Sequence, residues 1–181
     1  LIDPFCGTGT IPIEAAMIAK NIAPGLRRHF DFEKWPCFDP QIILAARTEA
    51  EAAVDRDAVL HIHGSDIDYF ALKLAMANAE HMGLARDISF QKLDYGAVSS
   101  QARYGFIITN PPYGERIGEE EEVRRLYKGM GRAFRSFDTW SVYVITSCKD
   151  FEKLYGRRAD KKRKLYNGML QCQLYQFFGP R

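Results

Sequence analysis

The stretch LIDPFCGTGTIPIEAAMIAKNI, residues 1–22, decides the fold. Leu1 and Ile2 run into Asp3 as the end of a strand and a glycine turn follows. Residues 10–22 then change to helical spacing, with Ile11, Ile13, Ala16, Met17 and Ala19 on or near one face. Strand, glycine turn and helix form the opening unit of a doubly wound α/β sheet, a fold that binds ligands beyond the carboxyl ends of its strands. Gly7 and Gly9 permit backbone angles and a close approach that a Cβ would forbid, so a ligand can lie against the main chain. Alone, such a turn is equally compatible with plain strand-to-helix geometry. There is no G-x-x-x-x-G-K-[ST], which argues against a phosphate-cradling loop. The dinucleotide fingerprint G-x-G-x-x-G also fails, because Pro12 stands at its third glycine.

Outward from this unit the alternation continues. Residues 24–39 mix Pro, Gly and aromatics without periodicity and read as an inserted loop. Helical spacing resumes over 40–55, opened by Pro40 with Asp39 as its cap. Strands are predicted over 58–66, 87–94, 104–110 and 139–147, and helices over 68–83 and 119–137. The second of these helices starts on four glutamates, residues 119–122, where the helix dipole favours negative charge. Residues 162–178 read as two strands around Asn167-Gly168, a strong hairpin signal. The whole is one domain, a mostly parallel sheet with helices on both faces and an antiparallel hairpin at one edge.

Composition narrows the function classes. With 25 basic and 23 acidic residues the chain carries +2, so affinity for nucleic acid has to come from a local patch or from a segment outside these 181 residues. Cys6, Cys37, Cys148 and Cys172 are scattered, without metal-ligand spacing, which fits reduced thiols in the cytoplasm and no zinc site. No run approaches the roughly 18 apolar residues of a membrane span. The chain opens inside a strand without an initiator Met, and we expect it to be an excerpt of a longer protein.

The chemistry-bearing residues fall at successive strand ends. Asp3, ahead of the glycines, would repel a pyrophosphate but can hold an ammonium, directly or through water, so the expected ligand is zwitterionic. In HGSDID, Asp66 is placed to accept both hydroxyls of a ribose, with Ile67 beside it to lie on an adenine ring. The usual gap of about 20 residues to such an acid is exceeded, and the insert over 24–58 accounts for the excess. Asp94, in QKLDYG, can accept from an adenine amino group, although a lone Asp after a strand is often only a turn residue. The fourth end is NPPYGER, residues 110–116: two prolines remove two donors and fix two φ angles, leaving a stiff loop that carries an exposed-looking Tyr113.

Taken in order, DPFCGTGT, GSDID, LD and NPPYGER resemble the class I S-adenosylmethionine-dependent methyltransferases with an NPPY motif. More closely, LIDPFCGTGTIPIEAA, FEKWPCFD and NPPYGERIG resemble the bacterial 23S rRNA guanine-N2 methyltransferases, long labelled N6-adenine-specific DNA methylases, whose catalytic domain follows a THUMP RNA-binding domain. The resemblance covers essentially the whole chain. It implies a Rossmann-like seven-stranded sheet of order 3-2-1-4-5-7-6 with strand seven antiparallel. It also implies S-adenosylmethionine as cofactor, S-adenosylhomocysteine as product, 23S rRNA as partner, and an upstream THUMP domain of the same chain. The implied cofactor site comprises Asp3, Pro4, Phe5, Gly7, Gly9, Asp66, Ile67, Asp94, Tyr95 and Asn110.

The implied catalytic loop is Asn110, Pro111, Pro112 and Tyr113. In the family pattern the Asn110 side-chain oxygen and the Pro111 carbonyl accept the two N–H groups of an exocyclic amine, and Tyr113 stacks on the extruded base. This picture requires no general base, and His29, His61, His63 and His81 are read as structural or solvent-facing. The motif recognises a planar amine, so N6-adenine and N5-glutamine methylation are same-chemistry alternatives, and a non-catalytic RNA-binding module is a remote one. The basic run RRADKKRK, residues 157–164, reads either as phosphate contacts or as Lys/Arg protection of a sheet edge. RRHFDFEKW, residues 27–35, is placed near the active face, where it shapes an RNA pocket or packs a satellite core.

Overall fold

The computed structural model describes residues 1–114 and 120–180. Glu115 and Arg116 of the proline loop, and Glu119 at the predicted start of a helix, lie outside them. Among the described residues one sheet holds β1 (Ile2–Asp3), β2 (Ile62–Asp66), β3 (Ile88–Lys92), β4 (Phe106–Thr109), β5 (Ser141–Thr146), β6 (Lys161–Asn167) and β7 (Leu170–Phe177). Their order is 3-2-1-4-5-7-6, with β7 antiparallel to β5 and β6, as the resemblance implies. The helices are α1 (Thr10–Ala19), α2 (Pro40–Ala52), α3 (Tyr69–His81), α4 (Glu120–Ala133) and α5 (Phe151–Tyr155). No helix among the described residues is long and apolar enough to cross a membrane.

Strand register divides the core into two. Ile2 pairs with His63 and with Ile107, so these three share one face and Ile62 points to the other. On the Ile62 face α1 and α3 pack Ile13, Ala16, Met17 and Ala79 against Ile62 and Ile88. On the Ile107 face α4 presents Val123, Tyr127 and Met130, a helical stripe that Phe134 of the following 3-10 turn extends, to Val142, Val144, Tyr175 and Phe177, with Phe151 and Tyr155 of α5 closing the cluster. Burial of these side chains contributes roughly 1.5–3 kcal/mol for each large one.

The departures from the sequence reading have local causes. In α1 Ala19 is exposed and Lys20 is buried instead, because its ammonium pairs with Asp87 at 2.9 Å. β2 starts at Ile62 rather than 58; its pairing with β3 begins at Ile62–Ile88, and Val59 stands 82% exposed. The five residues of α5 were not predicted. The hairpin turns at Gly168–Met169, one residue later than expected, with Gly168 at φ 60 and Asn167 pairing with Leu170 as the last rung. The cap on α2 is as read, Asp39 accepting from Gln41 N at 2.8 Å.

The insert lies at the wrong end for the role given to RRHFDFEKW. Arg27 donates to the His81 carbonyl at 2.6 Å, at the C-terminus of α3. That helix has 13 residues, so the anchor is about 20 Å from the strand end where α3 begins. The aromatics there pack on one another, Phe30 on Phe32 and Phe32 on Phe38 with centroids 5.6 and 5.0 Å apart, and Arg47 bridges to Glu33 at 2.6 Å. They form the satellite core of the second reading.

Candidate active site at the strand tips

Asp3 closes β1 and is 1% exposed. Its Oδ1 accepts from Thr109 Oγ1 at 2.7 Å and from Phe5 N at 3.1 Å, clamping the glycine turn to the end of β4, from which the proline loop leaves. Burial pushes this carboxyl up to about 7. The glycine turn is stitched to β2 as well: Cys6 N donates to the Ser65 carbonyl at 2.9 Å and Gly7 N to Asp66 Oδ2 at 2.9 Å. Asp66 Oδ1 accepts from Asp68 N at 3.0 Å, and Asp68 in turn caps α3. Gly9 opens α1 at φ 86, where a Cβ would stand 3.0 Å from that of Ala75.

Asp94 ends the next loop by accepting from Gly96 N at 2.8 Å, which starts a short 3-10 turn and sets Tyr95 over Phe5, centroids 5.3 Å apart and planes 24° from parallel. At the end of β4 Asn110 is exposed and its Oδ1 accepts from the Tyr113 hydroxyl. The side chains of Cys172 and Asn167 lie beside that hydroxyl, and burial pushes the phenol up to about 12, so Tyr113 is a donor at neutral pH. The aromatic that reads as exposed is thus half-buried, turned between the loop and the hairpin.

A pocket of about 570 Å³ joins these parts. Its wall holds Pro4, Phe5, Gly7, Asp66, Ile67, Asp94, Tyr95, Asn110, Pro111, Pro112 and Tyr113, every nominated residue except Asp3 and Gly9. Those two build the frame beneath, Asp3 by its clamp and Gly9 by its turn. None of the four histidines lines the pocket.

Two residues of α4 belong to the site without having been read there. Leu126 lines the pocket. Tyr127, wholly buried, donates to the Pro112 carbonyl at 2.8 Å, and its oxygen lies 2.8 Å from Thr146 Oγ1, which itself accepts from Cys148 N at 3.1 Å. This chain ties the proline loop to β5. The Pro112 carbonyl is therefore committed, and among the described residues nothing donates to that of Pro111. Tyr127 falls on the apolar stripe of its helix, where a tyrosine reads as core; no sequence signal separates the two roles.

The sheet order, with a glycine turn, two acids and a proline loop meeting in one pocket at the strand tips, defines a class I methyltransferase fold. The family model described as "RMKL-like, methyltransferase domain" matches residues 1–176, and the chain belongs to that family. YpsC of Bacillus subtilis (strain 168), a candidate RNA methyltransferase by name, is 46% identical over 177 residues, 98% of this chain and 46% of YpsC. The ribosomal RNA large subunit methyltransferase K/L of Shewanella baltica (strain OS185) is 40% identical over 178 residues, 95% of this chain and 25% of that protein. The chain thus spans under half the length of these relatives. Among solved structures, SMU.472, a candidate methyltransferase complexed with S-adenosylhomocysteine, superposes with a TM-score of 0.96 at 44% identity, over 99% of this chain and 48% of its own.

Proposed function

We propose that this chain is the catalytic domain of an S-adenosylmethionine-dependent enzyme that methylates the exocyclic N2 amine of a guanine in 23S rRNA, in a larger protein carrying an RNA-binding domain of the THUMP type. The observation that carries the reading is the single pocket whose wall runs from Gly7, Asp66 and Asp94 to the Asn110–Tyr113 loop, a cofactor half continuous with an amine-binding half.

The residues fit the cofactor. Asp66, held by two backbone N–H groups, keeps lone pairs free to accept from ribose hydroxyls, and Ile67, 66% exposed, offers an apolar surface beside it. Phe5 and Tyr95 give a second apolar wall, and Asp94 an acceptor at its edge. When bound, S-adenosylmethionine supplies an electrophilic methyl group. The chain's own part is to prepare the nitrogen. An exocyclic amine is a weak nucleophile because its lone pair is delocalised into the ring; holding both N–H groups in fixed acceptors frees that pair. Asn110 Oδ1 and the Pro111 carbonyl are those acceptors, in a loop whose prolines and Tyr127 tether leave little to reorganise. The Tyr113 hydroxyl occupies Asn110 Oδ1 in the free chain and shares or yields it to the amine. The proton released after transfer leaves to solvent.

The test is single-turnover methylation by the full-length protein. Asn110→Ala should slow transfer by about 10² or more, as for the loss of one preorganised donor or acceptor, in protein still saturated with the cofactor. Retained transfer overturns the reading. Mass spectrometry of rRNA nucleosides from a deletion strain separates the amines: loss of N2-methylguanosine supports guanine, and loss of N6-methyladenine instead replaces it.

A further inference from the structure

The charge of this chain is not spread evenly. Residues 157–164 hold six cations and one anion, a net of +5, whereas the whole chain carries +2, so the other 173 residues are at −3. Two of the six are neutralised: Arg157 pairs with Asp160 at 3.1 Å and Lys162 with Glu152 at 2.7 Å. Among the described residues no carboxylate lies within 4.0 Å of Arg158, Lys161, Arg163 or Lys164. β6 is the edge strand, and all of its residues but Leu165 are exposed.

Register places this edge relative to the pocket. Thr146, the last residue of β5, pairs with Gln173, and Gln173 pairs with Lys164. Lys164 is therefore level with the strand tips, and the hairpin continues three residues beyond it to Asn167, about 10 Å past the sheet. This overhang meets the proline loop, where Asn167 and Cys172 lie beside the Tyr113 hydroxyl. At the turn Tyr166 is 63% exposed, with the Lys164 ammonium 5.2 Å from its ring centre, and Met169 is fully exposed. Below it, α5 is only five residues long and leaves the upper half of the hairpin face open as a polar cleft of about 440 Å³, with Lys149, Gln171 and Gln173 in its wall.

We propose that the β6–β7 hairpin is the binding track for single-stranded RNA flanking the target nucleotide, the RNA running along the edge strand with phosphates on Lys164 of the cleft face and on Lys161 and Arg163 of the opposite face, and with Tyr166, on the Lys164 face, stacked on an unpaired base next to the one in the pocket. The proposal rests on the reading of that pocket as a nucleobase site. Unpaired cations fit a polyanion, and an exposed aromatic at the tip fits bases out of their stack. A sheet edge does need defending by Lys and Arg, but defence alone explains neither the aromatic nor the arrival of the hairpin at the loop that takes the base.

The experiment is fluorescence anisotropy of a labelled oligouridylate on the full-length protein across a salt series, with the triple variant K161S/R163S/K164S beside wild type. Each lost phosphate contact lowers the slope of log affinity against log salt by about 0.7 for single strands, so the triple variant should lose about 2, with affinity down roughly ten- to a hundredfold at low salt. The charge-keeping variant K161R/K164R should bind as wild type, and cofactor affinity should be unaltered in both. An unchanged salt slope in the triple variant, or self-association with RNA binding intact, overturns the track and leaves the pocket reading standing. Loss of the slope in the triple variant, with transfer to RNA unaffected by Asn110→Ala, overturns the pocket reading alone. Equal loss for a duplex of the same length overturns the assignment to single strands.

Discussion

At the scale of single residues the site is built from hydrogen bonds that cross between strands. Asp3 reaches Thr109, Gly7 reaches Asp66 and Tyr127 reaches Pro112, so the glycine turn and the proline loop are positioned by the sheet rather than by their own sequences. Tyr127 gives the sharpest test. Tyr127→Phe keeps the ring, 5.0 Å from Phe151, and removes only the donor to Pro112 and the contact with Thr146. Two partners are left unsatisfied, so stability should fall by about 1–3 kcal/mol. A purely structural hydroxyl would stop there. A positioning one lowers kcat, by roughly tenfold or more, with KM for the cofactor unchanged, as the proposal that this loop holds the amine and not the ribose requires; steady-state kinetics on the folded variant decides. The carboxylates and the prolines of this site were legible in the sequence because each stands at a strand end and each has a chemical reason to be there. Tyr127 and Leu126 were not, since helical spacing assigns a residue to a face but not to the particular carbonyl or cavity that face meets.

At the scale of elements, α4 links the two halves of the pocket, and two of its glycines mark where it approaches its neighbours. A Cβ on Gly129 would fall on the Tyr95 hydroxyl, and one on Gly131 on the Tyr155 carbonyl oxygen. The first obstacle is the far end of a side chain and can move; the second is backbone and cannot. Gly129→Ala should therefore cost little stability, since the roughly 1 kcal/mol of helix propensity gained offsets the displacement. It should weaken cofactor binding about tenfold by moving Tyr95 off Phe5. Gly131→Ala should do the reverse, losing 1–3 kcal/mol or more by forcing α4 from α5, with the pocket half intact. Urea denaturation and calorimetry on the two variants check the contrast. Long periodic elements such as α3 and α4, and the Asn-Gly hairpin, could be read in advance. The five residues of α5 could not, because one turn and a half has no measurable period and its aromatics, Phe151 and Tyr155, are set by the β7 side chains they meet. The insert was misplaced although its place in the order was readable: it lies between α1 and β2, and a segment that runs from a helix back to the next strand sits at the amino ends of the strands, where the anchor of Arg27 on the last residue of α3 holds it.

At the scale of the molecule, Asp3 couples the site to global stability. Among the described residues it is the one buried acid of the core, and its carboxyl is pushed up to about 7, by burial first and by the Asp66 charge last, against the pull of Thr109 and Phe5. The sign follows from which state holds the proton. Between the ordinary carboxylate pKa of 3.8 and about 7 the folded chain binds a proton that the unfolded chain has released, so stability from this group is full below the first value, declines as pH rises through the second, and is level above it. A bound cation beside the carboxylate would reverse part of that decline, which gives a charged ligand more to contribute near neutrality than in acid. Asp3→Asn isolates the effect, because the amide oxygen still accepts from Thr109 Oγ1 and Phe5 N while the titration is gone. Unfolding free energies compared between about pH 5 and pH 8 should show the variant gaining on wild type by roughly 2–3 kcal/mol across that interval, at about 1.4 kcal/mol per pH unit below the folded pKa. Parallel curves for the two proteins would mean that Asp3 titrates in the ordinary carboxylate range and that water reaches it beneath the pocket.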